Sequence, residues 1–378
     1  MVSNGNLKTI PMKIGLFFSN FNGGGIQRVM LTLAEGFVNK NHLVDIIVVD
    51  GDGPLRKDVP KDCSTFNLDT GNARKSLFPL VSYFNSEQPD ILLSAQTHFN
   101  FVAILAKLFS KWEGKLVLSE HITIGNMTKN WKEKLSPLIA GVSYRLADLV
   151  ILVSEGAASH FLEHTHLPAS LIRTIHNPFD IEKIKTLANH PPQHPWFDSS
   201  DAPIFISAGR LTRQKDYTTM LHAFQIVHSQ RPDARLVILG EGEERPQLES
   251  LAKELKIQAV VSLPGFTTNP FAMISRANAF VLSSRWEGFG NVIVEALACG
   301  TPVIATDCHS GPAEILGNGE YGTLVPVGNT QSLAQAMLKE ISNPPSHKKL
   351  QERANDFSVE KIVPQYLEAF QSIQSGAA

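Results

Sequence analysis

Short apolar runs recur along the chain, separated by stretches of helical period. In the first half these runs are KIGLFFS (13–19), LVDIIVVD (43–50), DILLSA (90–95), KLVLSE (115–120) and LVILVS (149–154). They are continuously apolar and rich in β-branched residues. That is the pattern of parallel strands buried on both faces. Helix-like segments trail them, the clearest from Gln27 to Val38. Around 181–201 the pattern lapses. NHPPQHPWFDSSD is rich in Pro, His, Ser and Asp and has no period, which predicts a linker. The alternation then restarts with PIFISAG (203–209), RLVILG (235–240), VVSLPG (260–265), AFVLSS (279–284) and PVIAT (302–306). Helices are expected between them, at Tyr217–His228 and Gln247–Lys256. Two successive βα series predict two doubly wound α/β domains with helices on both sheet faces. We divide the chain into a first domain (1–182), a linker (183–201), a second domain (202–355) and a C-terminal segment (356–378). The last carries a helix, Val359–Ile373, that could pack back on the first domain. A ligand is expected at the carboxyl ends of the strands, in the cleft between the domains.

Composition changes this picture little. Of 378 residues, 43% are apolar and 19% charged, which is ordinary for a globular protein. The formal net charge of −2 gives no case for nucleic acid binding. Three cysteines, Cys63, Cys299 and Cys308, are too few and too scattered for a disulfide framework or a zinc site. No segment has the unbroken apolar length of a membrane span. The start, MVSNGNLKTIPMK, lacks the apolar core of a signal peptide, and its first twelve residues read as a loose extension. The expectation is a soluble, cytoplasmic protein.

The most informative stretch is RWEGFGNVIVEALACGTPVIATD (285–307). A strand ends at Ser284, and Asn291 is expected to cap the helix that runs to about Cys299. Gly288 and Gly290 let the backbone approach a ligand closely. Free N–H groups at the helix start would face an anion. Glu287 precedes the glycines, and Glu295 lies about one helical turn beyond Asn291. Carboxylates accept hydrogen bonds from sugar hydroxyls. A phosphate cradle flanked by two carboxylates suits a phosphate between two polyols, as in a nucleotide sugar. A pair of glutamates alone would be solvated surface; the strand–loop–helix setting reverses that.

E-GFGNVIV-E, with the following ALACGTPVIATD, resembles the E-x7-E motif of retaining glycosyltransferases of the GT-B fold (glycosyltransferase group 1, family 4 type). The resemblance covers almost the whole chain. It implies two Rossmann-like domains and, for the residues here, these roles. Glu287 contacts donor-sugar hydroxyls, and Glu295 holds the ribose. Backbone amides around Phe289, Gly290 and Asn291 serve the donor sugar and diphosphate. In GRLTRQKD (209–216), Arg210 and Lys215, with four residues between them, match the family's pattern of Gly-Arg followed by a Lys, both cations lying on the diphosphate. There they would stabilise the charge that grows on the departing nucleotide. Arg213 is expected to be solvated. In FNGGGIQR (21–28), Gly24, Gly25 and Arg28 match a G-G-x-x-R loop that reaches the donor phosphate. The rival reading there is an NAD fingerprint, with Gly23, Gly25 and Asp50, but Arg28 stands where its third glycine belongs. VVSLPGF (260–266), with Gly265 and Phe266, lies where the family makes its base contacts. HSGPAEIL (309–316) resembles the UDP-sugar branch, its Gly311 and Pro312 lying against the sugar end.

On the first domain, His121 in SEHITIG ends a strand facing the cleft, where the family often has a histidine. Glu120 could contact substrate or fix His121, and His98 is an acceptor-side candidate. Asp50-Gly51-Asp52 spells D-x-D, a metal motif of another glycosyltransferase fold, but reads here as a turn. The family's scheme needs no metal and no cofactor. From 107 to 145, seven Lys and Arg (Lys107, Lys111, Lys115, Lys129, Lys132, Lys134, Arg145) face three carboxylates (Glu113, Glu120, Glu133). Trp112, Met127 and Trp131 are interleaved, which suits an anionic membrane surface at the inner face. A solvated helix face with core aromatics is the plainer alternative.

The implied activity is retaining transfer of a hexose or N-acetylhexosamine from a nucleotide-sugar donor, UDP-linked first, to a glycan or lipid-diphosphate-linked saccharide acceptor. GDP-mannose is the alternative donor. A UDP-sugar epimerase and an NAD-dependent oxidoreductase are the alternatives of another class. No protein nucleophile is nominated: the acceptor attacks the face that the diphosphate leaves, and the diphosphate takes the proton.

Overall fold

The computed structural model describes residues 11–121, 139–198, 202–342 and 345–376. Two parallel sheets form two lobes. The first has strands β1 (Lys13–Phe18), β2 (Leu43–Val48), β3 (Cys63–Asn67), β4 (Ile91–Ala95), β5 (Lys115–Glu120), β6 (Leu149–Leu152) and β7 (Ile172–Thr174), in the order 3-2-1-4-5-6-7. The second has β8 (Ile204–Ala208), β9 (Arg235–Leu239), β10 (Val261–Gly265), β11 (Ala279–Leu282), β12 (Val303–Thr306) and β13 (Thr323–Val325), in the order 10-9-8-11-12-13. Among the intervening helices, six position the site: α1 (Gly25–Val38), α2 (Thr97–Phe109), α3 (Glu155–Thr165), α4 (Ile181–Ala188), α5 (Asn291–Ala298) and α6 (Val359–Gln374).

The central strands are the apolar runs read from the sequence, and they are buried from end to end. Strands β3, β7 and β13 have no such run. They are short edge strands, partly exposed, so their residues alternate in type and carry little periodic signal. The stretch read as a linker also needs correcting. Its first residues form α4, whose Ile181, Ile184 and Ala188 are buried at helical spacing. Asp180 caps it by accepting a hydrogen bond from the Lys183 N–H at 2.9 Å. The dense Pro and His run after Ala188 masks this short helix in the sequence.

The two lobes share one chain crossing in each direction. Phe179 on the way out lies beside Phe357 and Val359 on the way back: its N–H donates to the Phe357 carbonyl at 2.9 Å and its carbonyl accepts from Val359 at 3.0 Å. Beyond this crossing α6 returns to the first lobe and packs on α1. Val363, Tyr366 and Phe370 face Phe37, with ring centroids 6.3 Å and 5.7 Å from Phe37 for the two aromatics. Gly36 permits the approach, since a Cβ there would stand 2.4 Å from Val363 Cγ2. Each such fully buried side chain contributes about 1.5–3 kcal/mol, so α6 fastens both ends of the chain to one lobe.

Candidate functional site

In both sheets the strand order reverses beside the first strand of the lobe, and loops at such a switch point leave a crevice. In the second lobe the loops after β8 and β11 meet there. Arg285 N–H donates to the Gln214 carbonyl at 2.8 Å, and the Gln214 side chain donates to the Trp286 carbonyl at 2.9 Å. Arg285 also pairs with the buried Asp216 at 3.1 Å. These contacts bring Lys215 against Glu287. Lys215 Nζ donates to Glu287 Oε1 at 2.6 Å, and Ser284 Oγ donates to the same oxygen at 2.6 Å. Both charged side chains are nearly enclosed, 14% and 8% exposed. Arg210 stands exposed on the same loop, next to Gly209, where a Cβ would come within 3.2 Å of the Lys215 stem.

The helix beginning at Asn291 starts differently from expectation. Gly290, at φ 98°, is its N-cap, and Asn291 is its first residue. The Asn291 side chain does not cap: its Oδ1 accepts from Asn177 Nδ2 of the first lobe at 2.8 Å. Only glycine takes a left-handed backbone freely, so the cap falls to Gly290. Across the cleft, α1 begins at Gly25 with Gly24 as its N-cap. A Cβ on Gly25 would be 3.1 Å from Asn291 Nδ2, and one on Gly23 would touch the exposed Phe266 ring at 3.5 Å. Two helix N-termini, one from each lobe, therefore face each other across the same gap. Each presents free N–H groups and the positive end of a dipole. Glu295, one turn along α5, is pushed up in pKa by burial and drawn back by Arg28 of α1 and by Lys215. So Glu295 lies between a cation from each lobe. The arrangement offers two carboxylates for hydroxyls and three basic side chains plus two helix starts for an anion.

Phe289 contributes only its backbone to this gap. Its ring, 3% exposed, is buried against His176, Phe179 and Phe357 at the chain crossing, with centroids 5.3, 6.5 and 5.6 Å away. Gly265 ends β10 beside Glu241 and Arg245, at φ 92°. Gly311, at φ 89°, lies so close to the Phe289 carbonyl that a Cβ would be 1.9 Å from its oxygen.

On the first lobe the sequence candidates separate. Glu120 is fully buried and does not meet His121. Its oxygens accept from Thr97 Oγ1 at 2.9 Å, from Asn100 Nδ2 at 3.0 Å and from the Tyr144 hydroxyl. Burial pushes its carboxyl up to about 6, with those three donors opposing. Glu120 thus ties the start of α2 to the segment around Tyr144 and is out of reach of a ligand. His121 rests on Ser119 instead, its Nε2 3.1 Å from Ser119 Oγ, and burial lowers it to about 4, leaving a neutral ring. His98 is exposed on the first turn of α2. Among the described residues no group of three or more His, Cys, Asp or Glu is placed to hold a metal ion. Asp50 Oδ1 accepts from the Asp52 N–H at 3.1 Å, which closes a turn.

Part of the basic stretch lies outside the described residues: Met127, Lys129, Trp131, Lys132, Glu133 and Lys134. Within them, Lys107 and Lys115 both pair with Asp148, at 2.6 Å and 3.3 Å, just past the end of the charge run. Trp112 is core: it stacks on Phe84 at 4.2 Å and donates to the Pro89 carbonyl at 2.6 Å. The exposed apolar side chains here are others. Leu105, Leu108 and Phe109 line the outer face of α2, and Ile139, Val142 and Leu146 line the neighbouring segment. No helix among the described residues is long and apolar enough to cross a membrane.

The role of several residues across the cleft was not legible in the sequence. Ser154 caps α3 through the Ala157 N–H at 3.1 Å and donates across the cleft to the Gly288 carbonyl at 2.9 Å. Glu314 accepts from the Glu155 N–H at 2.9 Å and pairs with His176 Nε2. A Ser directly after an apolar run is a cap signal for α3; its partner 134 residues away is visible only in three dimensions.

Two parallel-sheet α/β lobes of this kind are the architecture of the GT-B class of glycosyltransferase. The comparisons agree. Residues 193–357 match the model of glycosyl transferases group 1, and residues 23–183 match that of glycosyltransferase family 4. The chain belongs to this family of glycosyltransferases. It is 27% identical over 372 residues to the N-acetylgalactosamine-N,N'-diacetylbacillosaminyl-diphospho-undecaprenol 4-alpha-N-acetylgalactosaminyltransferase of Campylobacter jejuni, covering 93% of this chain and 97% of that one. It is 33% identical over 178 residues to the lipopolysaccharide core biosynthesis glycosyltransferase LpsE of Rhizobium meliloti, 46% of this chain and 51% of that one. Among solved structures, Anabaena Alr3699/HepE in complex with UDP and glucose superposes with a TM-score of 0.78 at 21% identity, over 96% of this chain and 100% of that one.

Proposed function

We propose that this enzyme transfers a hexose or N-acetylhexosamine, with retention, from a UDP-sugar to a lipid-diphosphate-linked saccharide. The observation that carries the reading is the Lys215–Glu287 pair beneath two facing helix starts. In this reading the donor diphosphate sits between the starts of α1 and α5, with Arg210, Lys215 and Arg28 around it. Glu287 takes a sugar hydroxyl, Glu295 takes the ribose, and Gly265 and Phe266 flank the base. Charge developing on the leaving diphosphate is met by fixed cations and dipoles, which is electrostatic catalysis. That supply is enough without a metal. His121, kept neutral by burial, donates a hydrogen bond at the sugar end, and the His98 side of the cleft receives the acceptor. Residues 1–182 and 356–378 act as the acceptor lobe and 202–355 as the donor lobe.

The relative that acts on a diphospho-undecaprenol acceptor supports a lipid-linked substrate here. So does the apolar face of Leu105, Leu108, Phe109, Ile139, Val142 and Leu146, with Lys111 and Arg145 beside it, which suits an anionic bilayer at the inner membrane face. A hydrolysis and transfer screen over UDP-, GDP- and ADP-sugars tests the donor. Turnover of GDP-mannose alone would replace UDP in this scheme, and epimer formation without acceptor would replace transfer. Flotation with phosphatidylglycerol vesicles tests the surface: binding should fall in the L108S/F109S variant, and equal flotation of both proteins would remove the membrane from the proposal.

A further inference from the structure

The loop that carries the donor glutamates is held from the other lobe at three points. Ser154 Oγ donates to the Gly288 carbonyl at 2.9 Å. The Phe289 ring is packed against His176 and Phe179 of the outgoing crossing. Asn177 Nδ2 donates to Asn291 Oδ1 at 2.8 Å. Behind them, Glu314 is gripped by the Glu155 N–H and His176. Gly156 allows the fit, because a Cβ there would be 2.7 Å from the Ser310 Cα. The shape of residues 288–291 and the angle between the lobes are therefore one variable.

We propose that Asn177 is a donor-site positioning residue: acting from the acceptor lobe, it sets Asn291 and the start of α5 and so builds the nucleotide-sugar site when the lobes close. The inference rests on the donor reading above and adds a residue that neither sugar nor phosphate needs to touch. Asn177 is suited to a latch. It is 2% exposed, and its Oδ1 is buried without a hydrogen-bond partner among the described residues. Truncating this enclosed amide leaves the Asn291 Oδ1 without its donor. Nucleotide binding then favours the closed arrangement, and closure favours nucleotide by the same factor.

The test is a double-mutant cycle on the full chain, with N177A, N291A and both together. UDP affinity is read by calorimetry, and the radius of gyration by small-angle scattering with and without UDP. Loss of one hydrogen bond predicts UDP binding weaker by about five- to tenfold in N177A. N291A should lose a similar amount, and the double variant no more than either. Unliganded N177A should be larger than wild type and should contract toward it with UDP. Wild-type affinity and size in N177A, or losses that add in full, would overturn the assignment. If N177A melts early, Glu314→Gln is the second variant, with the same signs expected. Wild type that binds no UDP while N177A still expands would sink the donor reading and leave the latch. No UDP binding together with unchanged size would sink both.

Discussion

The two walls of the cleft are built on the same topology and differ in how their chemistry is assembled. On the second-lobe wall, which we propose takes the donor, the charged groups come from two loops at one switch point, and each loop is a contiguous piece of sequence: GRLTRQKD and EGFGN. On the acceptor wall the groups come from separated strands. The most prominent candidate, Glu120, is spent on holding Thr97, Asn100 and Tyr144 together. A site made within one strand–loop–helix unit leaves a local pattern; a wall made by tertiary contacts leaves almost none. The contrast can be broken or sharpened by substitution on either side.

The largest effect is expected at Lys215. Its replacement by Ala should lower turnover about 10²- to 10³-fold, the usual result of removing one fixed donor from a developing charge. From sequence alone Lys215 is a cation on a loop, and its truncation is expected to lower turnover far more than folded stability. The buried ion pair changes that expectation. Taking Lys215 away from this enclosed pair costs up to about 3–5 kcal/mol, reduced here by the Ser284 hydroxyl, the other contacts of Glu287 and residual exposure. The double variant K215M/E287Q should therefore melt well above K215A and still be inactive. Recovery of turnover along with stability would show that Lys215 acts only as a structural partner.

A smaller loss is expected at Gly311. Alanine there meets a left-handed backbone and the Phe289 carbonyl at 1.9 Å, so the 287–291 loop must shift. Such strain costs about 1–3 kcal/mol, and the donor KM should rise about tenfold or more. The acceptor KM should rise less, because the shifted loop lies on the second lobe and reaches the first through its contacts with Ser154, Asn177, His176 and Phe179. An equal rise in both would mean that the two walls are not separable in this way.

This difference also explains what could be read in advance. Buried strands announce themselves by continuous apolar runs, so β1, β4, β8 and β11, which frame both switch points, were legible, and the fold with them. Edge strands such as β3 and a short helix such as the eight-residue α4 have mixed residues and were not. The cluster of Lys215 and Glu287 was legible because glycines and charges stand at fixed spacing beside a strand end. Asn177, Ser154 and Glu314 were not, since each derives its role from a partner more than a hundred residues away.

The smallest effect expected is on the acceptor wall, and it is one of pH. Glu120 ionises at about 6 in the folded protein, above its ordinary value of 4.5, because burial disfavours the charge more than its three donors favour it. A carboxyl raised in the folded state binds more protons there than in the unfolded chain. Its contribution is therefore fully present below about pH 4.5 and is lost as pH rises through 6. The size is on the order of 2 kcal/mol, a shift of a few degrees in melting temperature for a lobe of this length. Glu120→Gln is neutral throughout and escapes this loss. Wild type should thus lose melting temperature relative to E120Q between pH 4.5 and 7, with the donor KM of both proteins unchanged. A gap that stays flat would mean that the Thr97, Asn100 and Tyr144 donors fully offset desolvation. A gap that widens in favour of wild type would mean that they outweigh it, so that Glu120 is a standing negative charge beneath the acceptor wall.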